Sequence, residues 1–438
     1  IDADRSIMGN VKTTEMKWDK VNGRIYMQGF LMQFCLQCMV EAVIAGASTL
    51  EWLYSYPKAF SITQRQQYKM TWHTIYTETI STACTLHSSE SGSLSESESV
   101  AEYFKKDMQA STARGIICMD IGGGTTDIAI WQGSKDALLN QTSIRFAGRN
   151  ILNDYLWNRK QNGHLMLSKL KNGNSEFINM LDSLENEESK HGFDLKLEAL
   201  LRDYEADIFS SLPTKSADTE IALLIRDITF ALAGIFFYSG MLVGHLLKAG
   251  KYDMTKLLPN CYVGGNASKL LNWAADGEFS SDSLIAAVFK ECMYRGILYE
   301  EKQENVDDDF DIYMTDYPKQ EVAYGLVTST RASGNKIKIN LSGNMNDVCL
   351  LAGEKFAVDA TEQPSEIVSA EDFLAGVHID NKKPEVFDQF VSLFNNIMQN
   401  IEWSPVVFEK GDFINICTNV NQDLSDMKQA SGGNIKNI

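Results

Sequence analysis

The block Asp120-Ile121-Gly122-Gly123-Gly124-Thr125-Thr126-Asp127 lies between two apolar runs, residues 115–121 and 128–131. Such runs read as buried strands. Three consecutive residues without a Cβ let the chain turn tightly and aim successive N–H groups into a concave nest, which binds anionic oxygens. Gly122, Gly123 and Gly124 are therefore candidate phosphate-binding positions, and Thr125 and Thr126 add hydroxyl donors. Asp120, at the end of a buried strand, can hold a hydrated magnesium ion or orient a water; Asp127 can do the same or brace the turn. An ordinary hairpin favours Asn-Gly or Asp-Gly and rarely sets a buried acid before three glycines.

A second block, Val263-Gly264-Gly265-Asn266-Ala267-Ser268-Lys269, reads as a strand feeding two glycines and then a helix. Small residues there let a flat ring or a ribose pack against backbone, and the helix start adds its dipole. Gly264, Gly265, Asn266 and Ser268 are the candidate adenosine-binding residues.

In this order, the two blocks resemble the second phosphate motif and the adenosine motif of the actin-type ATPase superfamily. That superfamily includes actin, the DnaK-type chaperones, FtsA, MreB and sugar kinases; the double threonine is closer to FtsA and MreB. Three shorter matches agree in order: Tyr56-Pro57-Lys58-Ala59-Phe60 with Gln64-Arg65-Gln66, Glu98-Ser99-Val100-Ala101-Glu102-Tyr103, and Gln320-Glu321-Val322-Ala323-Tyr324-Gly325. Arg145-Phe146-Ala147-Gly148-Arg149-Asn150 sits where the family places a glycine loop beside the phosphates, which adds Gly148 to the phosphate-binding set.

The resemblance spans residues 49–330 and implies an α/β fold with a ribonuclease-H-like sheet flanked by helices. It implies ATP and Mg2+ as cofactors, held between two lobes, with Asp120 and Asp127 at the metal. Asp120, Thr125 and Glu98 are the implied catalytic residues, Glu98 positioning the attacking water. Hydrolysis would drive opening and closing. A sugar or small-acid kinase of the same fold is one rival, and a degenerate scaffold for protein contacts is another. The family also needs an Asp-x-Gly-Thr-like hairpin in its first half, and residues 1–48 hold none. The expected organisation is 1–110 as the remainder of a first lobe, 111–330 as the second half, and 331–438 as an extension without a motif. The chain is expected to start inside the first half, and by itself to fold but hydrolyse ATP little.

With 40 basic and 58 acidic side chains, the net charge is −18. A surface this negative repels phosphate backbones and anionic lipid, so neither nucleic acid nor a membrane is an expected partner. A nucleotide and a protein partner, or a second copy, are. Eight scattered cysteines fit a reducing, cytoplasmic setting. Cys35 and Cys38 form a CxxC with no second pair nearby and read as structural thiols. Residues 27–47 read as an amphipathic helix, and the apolar stretch 228–247 as a helix buried in the core, which is where the family's second connecting helix lies. The Ser/Glu-rich run 88–99 and the acids at 185, 187 and 188 read as solvated. Asp307, Asp309 and Asp311 start like a calcium loop, but Ile312 and Pro318 stand where that loop needs Gly and Glu.

Overall fold

The computed structural model describes residues 23–57, 62–81, 87–132, 137–144, 146–161, 175–211, 219–253, 258–275, 277–300, 309–318, 320–333, 346–351, 354–359 and 385–400. Of the residues quoted above, Lys58, Ala59, Phe60, Arg145 and Asp307 lie outside the described residues.

The first described elements in the chain are α1 (Gly23–Ile44), β1 (Thr49–Tyr56), α2 (Ile62–Ile75), β2 (His87–Ser95) and α3 (Glu96–Asp107). Leu31, Cys35 and Met39, four residues apart along one side of α1, share a small core with Tyr54, Tyr56, Tyr68 and Trp72. Tyr54 stacks on Trp72 with ring centroids 5.1 Å apart. Burial pushes the Cys35 thiol up to about 11, so this CxxC presents no reactive thiolate. The helix expected over 27–47 forms, but its buried stripe is narrower than an amphipathic reading implies. Phe30, Phe34, Val40, Val43 and Ile44 are exposed. The sheet formed by the parallel pair β1 and β2 has two strands, too few to cover a 22-residue helix.

The Ser/Glu-rich run is not the solvated loop expected. It forms β2 and the first turn of α3, with Ser95, Ser97 and Ser99 buried. Ser95 caps the helix: its hydroxyl accepts from the Glu98 N–H at 3.2 Å, while Glu98 Oε2 accepts from the Ser95 N–H at 3.0 Å. Both serine hydroxyls, Ser95 and Ser97, donate to Gln141 Oε1 at 2.9 and 3.0 Å. Low complexity measures polarity along the chain. It does not register that each hydroxyl has a partner waiting in the fold.

The second half contains the main sheet. β3 (Ile116–Ile121), β4 (Thr126–Gln132) and β5 (Ala137–Ile144) form an antiparallel meander. A helical segment follows: α4 (Tyr155–Gln161), α5 (Ser175–Glu185), α6 (Lys190–Asp203), α7 (Glu205–Ser211) and α8 (Thr219–Lys248). β6 (Asn260–Gly264) then lies parallel to β3, and α9 (Leu270–Ala274) and α10 (Leu284–Glu300) lead to β7 (Ile312–Met314), parallel to β6. The strand order is β5-β4-β3-β6-β7. An antiparallel meander extended by two parallel strands on the side of its first strand is the ribonuclease-H-like sheet. The chain therefore has the expected α/β fold, a ribonuclease-H-like sheet flanked by helices. α11 (Glu321–Ser333), the hairpin of β8 (Asn346–Leu351) and β9 (Glu354–Asp359), and α12 (Glu385–Asn400) complete the described elements.

Alternation along the strands sends Ile117, Met119, Ile121, Ile128, Ile130 and Val263 to one face, into a core shared with α8 and α10. Cys118, Ala129, Trp131 and Tyr262 face the other way, onto Val100, Tyr103 and Phe104 of α3. Gly325 of α11 crosses α3 so closely that a Cβ there would lie 1.7 Å from the Ser99 carbonyl oxygen. Among the described residues, two helices, α1 and α8, are long and apolar enough to cross a membrane. α8 is a core element of this fold: Ile228, Leu232, Phe236 and Val243 are fully buried. α12, from the segment where no motif was legible, adds Phe390, Val391, Phe394 and Met398 to the same core.

Of the three acids expected to be solvated, Glu187 is held in place. It pairs with Lys196 at 2.7 Å and accepts from the Ser189 N–H and hydroxyl at 3.1 and 2.9 Å. Its carboxylate occupies the space a Cβ on Gly192 would fill. The Lys196 and Ser189 hydrogen bonds lower its pKa to about 2. A carboxylate depressed in the folded state stabilises above its unfolded pKa and loses that contribution as pH falls through the folded value. Glu187→Gln should therefore cost about 1 kcal/mol at pH 7, the scale of a partly exposed pair. The cost should shrink between about pH 4.5 and 2, as urea melts across that range would show.

Candidate functional site

Three turns meet at the carboxyl ends of β3 and β6, where open α/β sheets place their ligands. The first is the 122–125 turn, closed by the Gly122 N–H donating to the Thr125 carbonyl at 2.9 Å. The second is the loop at 146–149. Its Gly148 and Arg149 N–H groups donate to the carbonyls of Gly122 and Gly123 at 3.1 and 2.9 Å. The third is the 264–268 turn, in which Gly265 adopts φ +82°, a left-handed conformation that favours glycine. A Cβ on Gly265 would lie 2.1 Å from Asp120 Oδ1 and 2.6 Å from the Ile121 carbonyl oxygen. A Cβ on Gly148 would lie 2.6 Å from that of Ala267. The two glycine motifs are thus in van der Waals contact.

None of Gly122, Gly123 and Gly124 has a positive φ, so this turn does not need glycine for its handedness. What Gly123 and Gly124 provide is open space, whereas a Cβ on Gly122 would lie 3.0 Å from the Thr125 carbonyl oxygen. Nothing lies within 4 Å of a Cβ built on Gly124, and only the Arg149 guanidinium at 3.9 Å meets one on Gly123. Among the described residues, the N–H groups of Gly123 and Gly124 make no hydrogen bond.

Other expected site residues have structural partners. Thr126 is buried and its hydroxyl donates to the Phe146 carbonyl at 2.7 Å, so it is turned away from the opening. The Ser268 hydroxyl donates to the Gly265 carbonyl at 2.7 Å and braces the turn. The Gly148 N–H is engaged by Gly122, so its part is close packing. Glu98 Oε2 is engaged by the α3 cap. Thr125 donates to Asp127 Oδ2 at 3.3 Å, and Asn266 is exposed at the start of its turn. Gly264 leaves room for the buried Glu321, whose Oε1 accepts from the Gly265 N–H at 3.2 Å.

Asp120 and Asp127 stand directly opposite each other on adjacent strands and so share a face of the sheet. Among the described residues, no cluster of three or more His, Cys, Asp or Glu could hold a metal. A carboxylate pair suits magnesium, which retains waters and takes phosphate oxygens, better than an ion caged wholly by protein.

The turns open into a cavity of about 270 Å³ lined by Gly123, Gly148, Asn266, Ala267 and Trp273 on the sheet side. Its opposite wall comes from the helical segment: Glu198, Leu201 and Arg202 on α6, and Glu205 and Ile208 on α7. Two ion pairs bridge the walls, Arg149–Glu198 at 2.8 Å and Lys269–Glu205 at 2.6 Å. Arg149 and Lys269 fall inside two of the quoted sequence motifs without a role of their own, while Glu198 and Glu205 belong to none. The one available signal was Glu198, Leu201 and Arg202 at i, i+3 and i+4, which share a helix face.

No protein-family profile and no curated protein matches the sequence. Among solved structures, the chain is similar to the ethanolamine utilization protein EutJ from Carboxydothermus hydrogenoformans. The TM-score is 0.35 and the identity 12%, over 69% of this chain and 74% of that one.

Proposed function

We propose that this chain is the nucleotide-binding portion of an actin/DnaK-type ATPase and takes Mg-ATP in the cavity beneath the three turns. The observation that carries this reading is the contact between the 122–124 turn, Gly148 and the 265–267 turn around one opening. In this reading the Gly123 and Gly124 N–H groups hold phosphate oxygens. Asn266, Ala267 and Trp273 form the wall against the adenosine. Asp120 orients the water that attacks, and Asp127, buried beside it, keeps the carboxylate pair in register. Bound magnesium would neutralise charge on the phosphates. The catalysis is positioning and charge stabilisation, with no covalent step on the protein.

The same reading makes the first lobe partial among the described residues. The order α1-β1-α2-β2-α3 repeats α8-β6-α10-β7-α11. In the second half the β3–β5 meander pairs with β6; the equivalent edge of β1 has no partner strand among the described residues. The exposed face of α1 lies on the lobe that such a meander would complete. The described cysteines Cys35, Cys38, Cys118, Cys261 and Cys292 are all free, which agrees with a cytoplasmic site of action.

Gly123→Val tests the reading. The Cβ of the new side chain meets nothing closer than 3.9 Å, and what lies beyond it is the end of the flexible Arg149 side chain, so stability should change by less than about 1 kcal/mol. It fills the space assigned to phosphate, so calorimetric titration with Mg-ATP should show at least about tenfold weaker binding. Unchanged affinity would remove the phosphates from this turn.

A further inference from the structure

We propose that Arg149 is a phosphate-contacting residue of this cavity, held on Glu198 until a nucleoside polyphosphate replaces that carboxylate. The proposal rests on the nucleotide reading above and deepens it. Three observations converge. The Arg149 guanidinium lies beside Gly123, with Cζ and Nε 3.9 Å from where its Cβ would be. The N–H groups of Gly123 and Gly124 make no hydrogen bond among the described residues. Two amides and a guanidinium grouped in this way form an anion site.

The third observation is that an anion is already there. Glu198 Oε1 accepts from Arg149 Nε at 2.8 Å, across the cavity from α6. The Glu198 side chain is 41% exposed and that of Arg149 25%. An ion pair this open is weak and is easily exchanged. A terminal phosphate carries more charge than a carboxylate and presents oxygens to the same fork, with the two glycine amides as further donors. The Arg149 backbone is fixed by its own N–H bond to the Gly123 carbonyl, so the side chain can change partner without moving the turn. Arg149 would therefore set the preference of the site for polyphosphates over the bare nucleoside. Lys269, the other bridging cation, sits on the adenosine turn and pairs with Glu205, so it would not contribute to that preference.

The test is the affinity of the full chain for adenosine, ADP and ATP, the nucleotides with magnesium, by titration calorimetry. Wild type should bind ATP and ADP more tightly than adenosine. Arg149→Ala should weaken ATP about tenfold and leave adenosine within about twofold, the loss expected for one charge-assisted hydrogen bond. Arg149→Lys, which keeps the charge, should fall between the two. Glu198→Gln, which removes the competing negative charge, should tighten ATP relative to adenosine. Lys269→Ala should leave the ATP-to-adenosine ratio unchanged. Arg149→Ala with wild-type ATP affinity, or with adenosine and ATP weakened equally, overturns the proposal. So does an equal change of ratio in Lys269→Ala, which would point to net charge instead of contact. If wild type binds none of the three ligands, the nucleotide reading itself falls; if it binds them and only the Arg149 variants are silent, only this inference falls.

Discussion

Gly240→Leu should destabilise the protein by at least about 3 kcal/mol, and in many conditions unfold it. α8 and α10 cross with their backbones in contact. A Cβ on Gly240 would lie 2.0 Å from the Met293 carbonyl oxygen, and one on Gly296 would lie 2.1 Å from that of Phe237. The two glycines are reciprocal, one on each helix, and the obstructing atoms are backbone, so no rotamer change relieves the clash. Separating the helices would open the core above Met119, where Ser239 lies 3.9 Å from the methionine sulfur. Gly29 on α1 is the matched control, because nothing lies within 4 Å of its Cβ position. Gly29→Ala should gain up to about 1 kcal/mol from helix propensity alone. Urea midpoints of the two variants should move in opposite directions. A Gly240→Leu midpoint close to wild type would mean that the two helices do not approach as closely as described.

Phe394→Ala should cost about 3–5 kcal/mol, the range for a fully buried aromatic residue in a core that only partly collapses. Phe394 is 1% exposed, and its ring packs edge-on against Phe230 at 5.1 Å and lies 6.5 Å from Phe390. Phe390 in turn meets Phe237 at 5.2 Å. The effect is informative because α12 belongs to the stretch 331–438, read from sequence as an extension. A loss of this size, with one cooperative transition, would show that α12 folds as part of the second-half core. A loss below about 1 kcal/mol would mean that it docks loosely on a core complete without it.

Local pattern made much of the architecture legible. The apolar strands around Gly122–Gly124, the strand into Gly264 and the buried helix over 228–247 could all be read from periodicity and glycine placement, because each depends on residues adjacent in the chain. The expected solvation of 88–99 failed for the opposite reason: the buried Ser95 and Ser97 hydroxyls are satisfied by Gln141 on β5, a partner no window of sequence contains. Glu98 illustrates the limit at the site. Its position in the chain fits a catalytic acid, yet a neighbour three residues away uses its carboxylate as a helix cap.

By itself, the sequence determined which turns carry glycine and where the carboxylates stand, since a strand alternates its faces with a fixed period of two. Asp120 and Asp127 share a face because the register of the β3–β4 hairpin also pairs them directly. Only the tertiary structure decided what those turns enclose. Arg149 meets Glu198, and Lys269 meets Glu205, because α6 and α7 fold back over the carboxyl ends of β3 and β6. The same packing decided that Thr126 and Ser268 turn their hydroxyls into the backbone, while among the described residues the amides of Gly123 and Gly124 make no hydrogen bond. A side chain's partners depend on which distant surface covers it, and that is a property of the packed core, with no counterpart in local spacing.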